Sequence, residues 1–162
     1  VILFIIGVSG TGKTTVGRLL ASALDLPFFD ADDFHPAANI EKMSKGIPLN
    51  DDDRADWLAS LHAKALECTD KDGGVFACSA LKKAYRTILA KDIEDQTHFF
   101  LLKGSYELIM SRLQTRKGHY MPPALLQSQF DILEVTDEVI EIDIQLEASE
   151  IVAFIAKRVS NR

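Results

Sequence analysis

Residues 7–15 read GVSGTGKTT, preceded by the apolar run VILFII at residues 1–6 and followed by apolar residues at helical spacing. The stretch satisfies G-x-x-x-x-G-K-[ST] through Gly7, Gly12, Lys13 and Thr14, with a buried strand before it and an amphipathic helix after it. Its glycines let the backbone curl, so that N–H groups from Ser9, Gly10, Thr11 and Gly12 onward point at phosphate oxygens. The helix beginning near Lys13 adds the positive end of its dipole. Lys13 is expected at the β/γ-phosphates and the Thr14 hydroxyl on Mg²⁺, with Thr15 completing the cradle. A glycine-rich turn that merely links strand to helix is the alternative, and both flanks argue against it.

Outward from this motif, short β-rich apolar runs alternate with helix-period segments. The runs lie at 1–6, 27–29, 75–78, 98–102 and 139–144, and the helices at 13–24, 53–67, 81–90, 106–115 and 148–159. Near-continuous hydrophobic strands separated by helices predict an α/β fold, a parallel sheet covered by helices on both faces. Trp57, Leu58, Leu61 and Ala65 keep the helical period, and Asn50 or Asp51 is placed to cap that helix. Residues 31–50, 116–123 and 134–137 escape the scheme. Ligands bind beyond the carboxyl ends of such strands, so these interruptions are where function is expected.

The chain has 162 residues, the size of a single domain, with 47% apolar and 26% charged residues. No apolar run approaches the ~20 residues of a membrane span. VILFII has no basic flank and reads as a strand rather than a signal peptide. The sequence opens inside that strand, which suggests residues upstream of Val1. A net charge of −6 argues against a nucleic-acid backbone as partner. Cys68 and Cys78 lack metal-type spacing and read as unpaired thiols in a reducing cytosol.

The stretch FFDADDFHP, 28–36, brings three aspartates to the end of the second strand. Asp30 is expected to project towards the bound Mg²⁺-nucleotide, and Asp32 to reach a second substrate and orient or deprotonate its hydroxyl. Asp33 reads as loop solvation or a cap. In LNDDDRADW, three acids suit a helix start, while Arg54 offers a clamp for a carboxylate or phosphate, or a surface ion pair. In CSALKKAYR, Lys82 and Arg86 are four apart and are expected to share a helix face, one that binds an anionic substrate or is a solvated basic surface. Arg112 and Arg116 likewise share a face, one for adenine and one for phosphates. Gly118 and the pair Pro122–Pro123 would delimit a mobile lid at about 116–123 that excludes water on closure. His119 is a substrate-binding candidate within it, and Lys117 a weaker one.

Together GVSGTGKTT, FFDADDFHPAANIEKMSKGIPLNDDDRADWL, CSALKKAYR and RLQTRKGHYMPPALLQSQFDILE resemble the P-loop gluconate kinases, in the expected order and over most of the chain. HPAANIEKMSKGIPLNDDDR and CSALK carry the resemblance more specifically than the P-loop. It implies ATP- and Mg²⁺-dependent phosphorylation of D-gluconate on a three-layer fold similar to shikimate and adenylate kinases, with a five-stranded parallel sheet. It further implies one domain over 1–162, a substrate-binding insertion at about 31–73, a cytoplasmic location and a homodimer. By motif, Lys13, Asp32 and Arg116 would be catalytic, Thr14 and Asp30 would hold metal, and Arg54, Lys82, Arg86 and His119 would bind substrate. Ala31 and Asp33 depart from the pattern, where a glycine and an apolar residue are expected. The residues alone reach only a small-molecule kinase with an anionic, hydroxylated acceptor.

Two neighbouring readings fit less well. A shikimate kinase calls for a glycine-rich turn after the third strand, where FACSALKK has none. A nucleotide acceptor calls for more arginines than Arg54 between the second and third strands. A regulatory nucleotide-binding module would not need Lys13, Asp32 and the lid arginines together.

Overall fold

The computed structural model describes residues 1–116 and 122–161. Strand β1 (Ile2–Ile6) is buried on both faces, and its side chains divide by parity between two cores. Ile2, Phe4 and Ile6 pack against α3 (Asp51–Thr69) and α4 (Lys83–Ala90). Leu3 and Ile5 pack against α1 (Lys13–Leu24), α5 (Tyr106–Thr115) and α7 (Ala148–Ser160). A strand with no polar position can only be satisfied by such a two-sided burial.

Around β1 the sheet runs β2-β3-β1-β4-β5, all parallel, with β2 at Phe28–Asp30, β3 at Gly74–Ala77, β4 at Thr97–Lys103 and β5 at Val139–Asp143. The register aligns Phe29, Phe76, Phe4 and Phe99 in one row across four strands. Their rings stack at centroid spacings of 5.0, 5.0 and 5.1 Å. A slip of one residue would move every ring of a strand to the opposite core, so the row fixes the pairing. The three-layer α/β architecture and five parallel strands agree with the sequence reading.

Two helices were not foreseen, α2 (Ala37–Ser44) and α6 (Pro123–Ile132). Each fully buries a single residue, Asn39 and Leu126 respectively, and α6 adds only the partly buried Phe130 and Ile132 against the core, a short stripe. Helix α3 starts with a reciprocal box: Asn50 accepts from the Asp53 N–H, and Asp53 accepts from the Asn50 N–H. β3 also lies between β1 and β2, so the aspartate-bearing strand is not the immediate neighbour of the P-loop strand. All three strands still deliver their carboxyl ends to one edge. Among the described residues no helix is long and apolar enough to cross a membrane.

Candidate active site

At that edge a cleft of about 450 Å³ opens between the loop after β1, the segment after β2, the end of β3 and helices α5 and α6. Ser9, Gly10, Gly12, Lys13, Thr14 and Thr15 form one wall. Gly12 precedes α1 with φ 93°, a left-handed value costly for other residues, and open space stands before its Cα. At Gly10, φ 83°, a Cβ would come within 2.7 Å of Leu113 on α5, so the loop also needs glycine for a close approach. Lys13 donates to the Val8 carbonyl at 2.8 Å, curling its ammonium over the loop. Burial lowers its pKa, while Asp32 and Asp30 oppose the shift; the charge of Arg116 works in the same direction as burial. Lys13 and Arg116 thus bring two like charges to a wall receptive to a polyanion.

Two expected cradle residues, Gly7 and Thr11, are not part of the cleft lining. Thr11 is buried, its hydroxyl donating to Val8 O at 3.1 Å, so the side chain braces the loop. Gly7 donates its N–H to Ser79 O at 3.3 Å and sits where a Cβ would meet the Leu102 carbonyl at 2.9 Å. It lets β1 turn between its neighbours.

Across the cleft, Asp30 accepts from the Thr14 hydroxyl at 3.3 Å and from the Asp32 N–H at 3.0 Å. A hydroxyl and a carboxylate oxygen converging at the cradle's edge are the hard donors that Mg²⁺ takes alongside phosphate and water. The chemistry of the pair therefore fits this ion. Asp32 also lines the cleft. Its pKa is raised, first by loss of solvation among the cleft walls and then by Asp30, with Lys13 pulling the other way. A carboxylate shifted towards neutrality beside a phosphate cradle suits proton acceptance.

Farther along, Arg54 donates to Leu49 O at 2.6 Å and to the Tyr85 hydroxyl at 3.1 Å, with its guanidinium 5.2 Å from the Tyr85 ring centroid. Both acceptors are neutral, and among the described residues no carboxylate forms a direct ion pair with it. Its charge remains available at the cleft it lines.

Lys82 and Arg86 do not share a face. Lys82 is the N-cap of α4, with extended backbone (φ −95°, ψ 147°), so the i,i+4 rule does not apply to it. Its ammonium pairs with Asp51 at 3.0 Å at the rim of an adjoining recess. Arg86 is 1% exposed and spends its N–H groups on Glu138, Ala80 O, Leu81 O, Glu134 O and Thr136. Its expected contact with substrate is corrected: it locks the loop after β3 to the segment after α6. Arg112 is exposed and donates to Ile144 O at 2.8 Å, outside the cleft lining. His119, Lys117 and Gly118 lie outside the described residues.

Several cleft residues had no sequence signal. Gln129 on α6 accepts from the Ser9 N–H at 2.7 Å and donates to the Ser9 hydroxyl at 3.1 Å, across 120 residues of chain. Trp57 reaches the cleft while donating its indole N–H to Ala31 O at 2.7 Å. His35 stacks on Trp57.

A shikimate kinase family profile matches residues 9–138. The thermosensitive gluconokinase of Escherichia coli K12 is 50% identical over 131 residues, which are 80% of this chain and 70% of that protein. The gluconokinase of Arabidopsis thaliana is 40% identical and is covered to 93%, with 99% of this chain matched. Among solved structures, a gluconokinase from Sinorhizobium meliloti 1021 superposes with a TM-score of 0.87 at 38% identity, over 99% of this chain and 94% of its own. A shikimate kinase from Acinetobacter baumannii, 22% identical with a TM-score of 0.60 over 99% of this chain and 93% of its own, shares the fold. The chain belongs to the shikimate kinase family of P-loop proteins and, within it, to the gluconokinases.

Proposed function

We propose that this protein transfers the γ-phosphoryl group of ATP to the terminal hydroxyl of D-gluconate, giving 6-phospho-D-gluconate. The observation that carries the reading is one cleft lined by Asp32, a phosphate cradle and an arginine that forms no direct ion pair with a carboxylate among the described residues. The family assignment gives the acceptor its name.

In this reading Lys13 and the backbone of Gly10 and Gly12 hold the phosphates, and Arg116 compensates charge that builds up on transfer. Thr14 and Asp30 would hold Mg²⁺, which neutralises phosphate charge when bound. Asp32 accepts the proton of the acceptor hydroxyl or fixes it in line for attack. Arg54 takes the carboxylate of the sugar acid. Lys82 contributes from the rim, and Arg112 meets the adenine. Residues 31–73 form the acceptor-binding insertion, supported by Arg54 and Trp57 reaching the cleft from α3. The two buried, unpaired thiols Cys68 and Cys78 support a reducing, cytoplasmic setting, and kinship supports a homodimer.

The test is ADP release from Mg²⁺-ATP with D-gluconate, shikimate, AMP or no acceptor in parallel. Turnover with D-gluconate and not with the others is the expected result. Turnover only with another acceptor would overturn the substrate and leave the P-loop chemistry standing.

A further inference from the structure

Asn39 is 3% exposed, and its side-chain nitrogen lies 2.7 Å from the Asp53 carbonyl oxygen and 3.2 Å from His35 Nδ1. A carbonyl oxygen only accepts, so the Asn39 NH₂ must face it, and the same NH₂ meets the imidazole. His35 Nδ1 therefore presents a lone pair, and the ring proton resides on Nε2. The ring lies flat on Trp57, with centroids 4.3 Å apart and an 11° interplanar angle. Trp57 is itself 2% exposed and anchored to Ala31 O at 2.7 Å, so the imidazole plane is fixed as well as its tautomer.

His35 lines the cleft together with Asp32 and Arg54. Nε2 has no partner among the described residues, and no buried side-chain nitrogen or oxygen among them is left unsatisfied. Its N–H therefore opens onto the cleft rather than into the protein. Burial, and then the charge of Arg54, push the imidazole pKa down to about 4. The ring stays neutral near pH 7. A neutral, single-direction donor suits a hydroxyl rather than a carboxylate, which Arg54 would hold.

We infer that His35 is a specificity-determining residue for the acceptor, its Nε2–H donating to a hydroxyl of the polyol chain held between Asp32 and Arg54. The inference rests on the kinase reading above. It gives the acceptor pocket a means of recognising hydroxylation that is separate from charge.

Two variants separate the donor from the scaffold. Asparagine at 35 places a polar atom near Nδ1, able to keep Asn39 paired, and removes the distal donor; glutamine restores a donor near Nε2. With H35N the KM for D-gluconate is expected to rise about tenfold, the worth of one hydrogen bond, while the KM for ATP stays within about twofold. H35Q should recover most of that loss. Among monodeoxy-gluconates, wild type should discriminate against one isomer about tenfold, and H35N should lose that discrimination. Equal changes in both KM values, or equal losses in H35N and H35Q, would overturn the assignment.

A readout independent of folding or activity is long-range ¹H–¹⁵N correlation of the wild-type imidazole at pH 7. Protonated Nε2 with bare Nδ1 is expected, and the opposite tautomer or an imidazolium would overturn the inference. If wild type turns over no D-gluconate, the substrate reading itself falls. If wild type does so and H35N matches it, only the role of His35 falls.

Discussion

The phosphate cradle and the acceptor wall meet in one cleft but are built by different means. The cradle is made of consecutive residues, and its shape comes from backbone conformation: left-handed glycines at Gly10 and Gly12 running straight into α1. The acceptor wall is assembled from distant segments and held by side chains: Asn39 to Asp53, Trp57 to Ala31, Arg54 to Tyr85, and Arg86 to Thr136 and Glu138. A substitution on the wall should therefore affect the acceptor and leave nucleotide binding intact. Any wall variant that weakens ATP binding as strongly as acceptor binding breaks this division.

Asp32→Asn gives the largest expected effect. The amide keeps the shape but can neither accept the proton nor carry the charge, so turnover should fall by about 10²–10⁴. Binding of ATP measured by calorimetry should change little, since the cradle is untouched. Turnover close to wild type would remove Asp32 from the chemistry.

Arg86→Met tests the scaffold of the same wall. It leaves three backbone carbonyls, Thr136 and Glu138 without their shared donor at a site that is 1% exposed. Breaking a buried ion pair from one side costs about 3–5 kcal/mol, and the partly exposed Glu138 places this case near the lower figure. A urea titration should show the loss as a lowered midpoint with unchanged slope. A midpoint equal to wild type would mean that the arginine's contacts hold nothing together.

The same contrast explains what the sequence could tell. The cradle is local, so spacing alone named Lys13, Thr14 and the glycines. Buried strands likewise announce themselves as unbroken apolar runs, as at 1–6. Arg86 misled because helical spacing was applied to Lys82, which stands just outside α4 in an extended conformation. Gln129 and His35 owe their places to contacts with Ser9 and Trp57 that only the folded chain creates. Helix α2 lacked a stripe because its one buried side chain is polar, and α6 carries only a short one, Leu126 with the partly buried Phe130 and Ile132.

Arg54→Ala should raise the KM for D-gluconate by about ten- to a hundredfold, the worth of one charge-assisted contact, with the KM for ATP nearly constant. Leu49 would lose a donor but lines the cleft, where water can replace it, and the Tyr85 hydroxyl keeps its own bond to Asp51. If the KM for ATP moved and that for gluconate did not, Arg54 would belong to the cradle rather than the wall.

The smallest effect is in stability against pH, and its sign distinguishes two wall residues. His35 has a folded pKa of about 4 against 6.5 when unfolded. Above pH 6.5 the ring is neutral in both states and its contribution is full. As pH falls from 6.5 towards 4, the unfolded chain takes up a proton that the folded ring refuses, and stability declines. The shift, discounted for a half-buried ring, corresponds to roughly 1–2 kcal/mol. Asp32, with its raised pKa, acts in the opposite sense: falling pH protonates it in the folded state first. The lowered carboxylates Asp51, Asp53, Glu67 and Glu138 lose their contributions only at and below the ordinary carboxylate range. Urea midpoints of wild type and H35Q from pH 7 to 4.5 should therefore diverge, the wild type losing more stability because glutamine does not titrate. Parallel curves would show that burial and the charge of Arg54 do not hold the imidazole neutral.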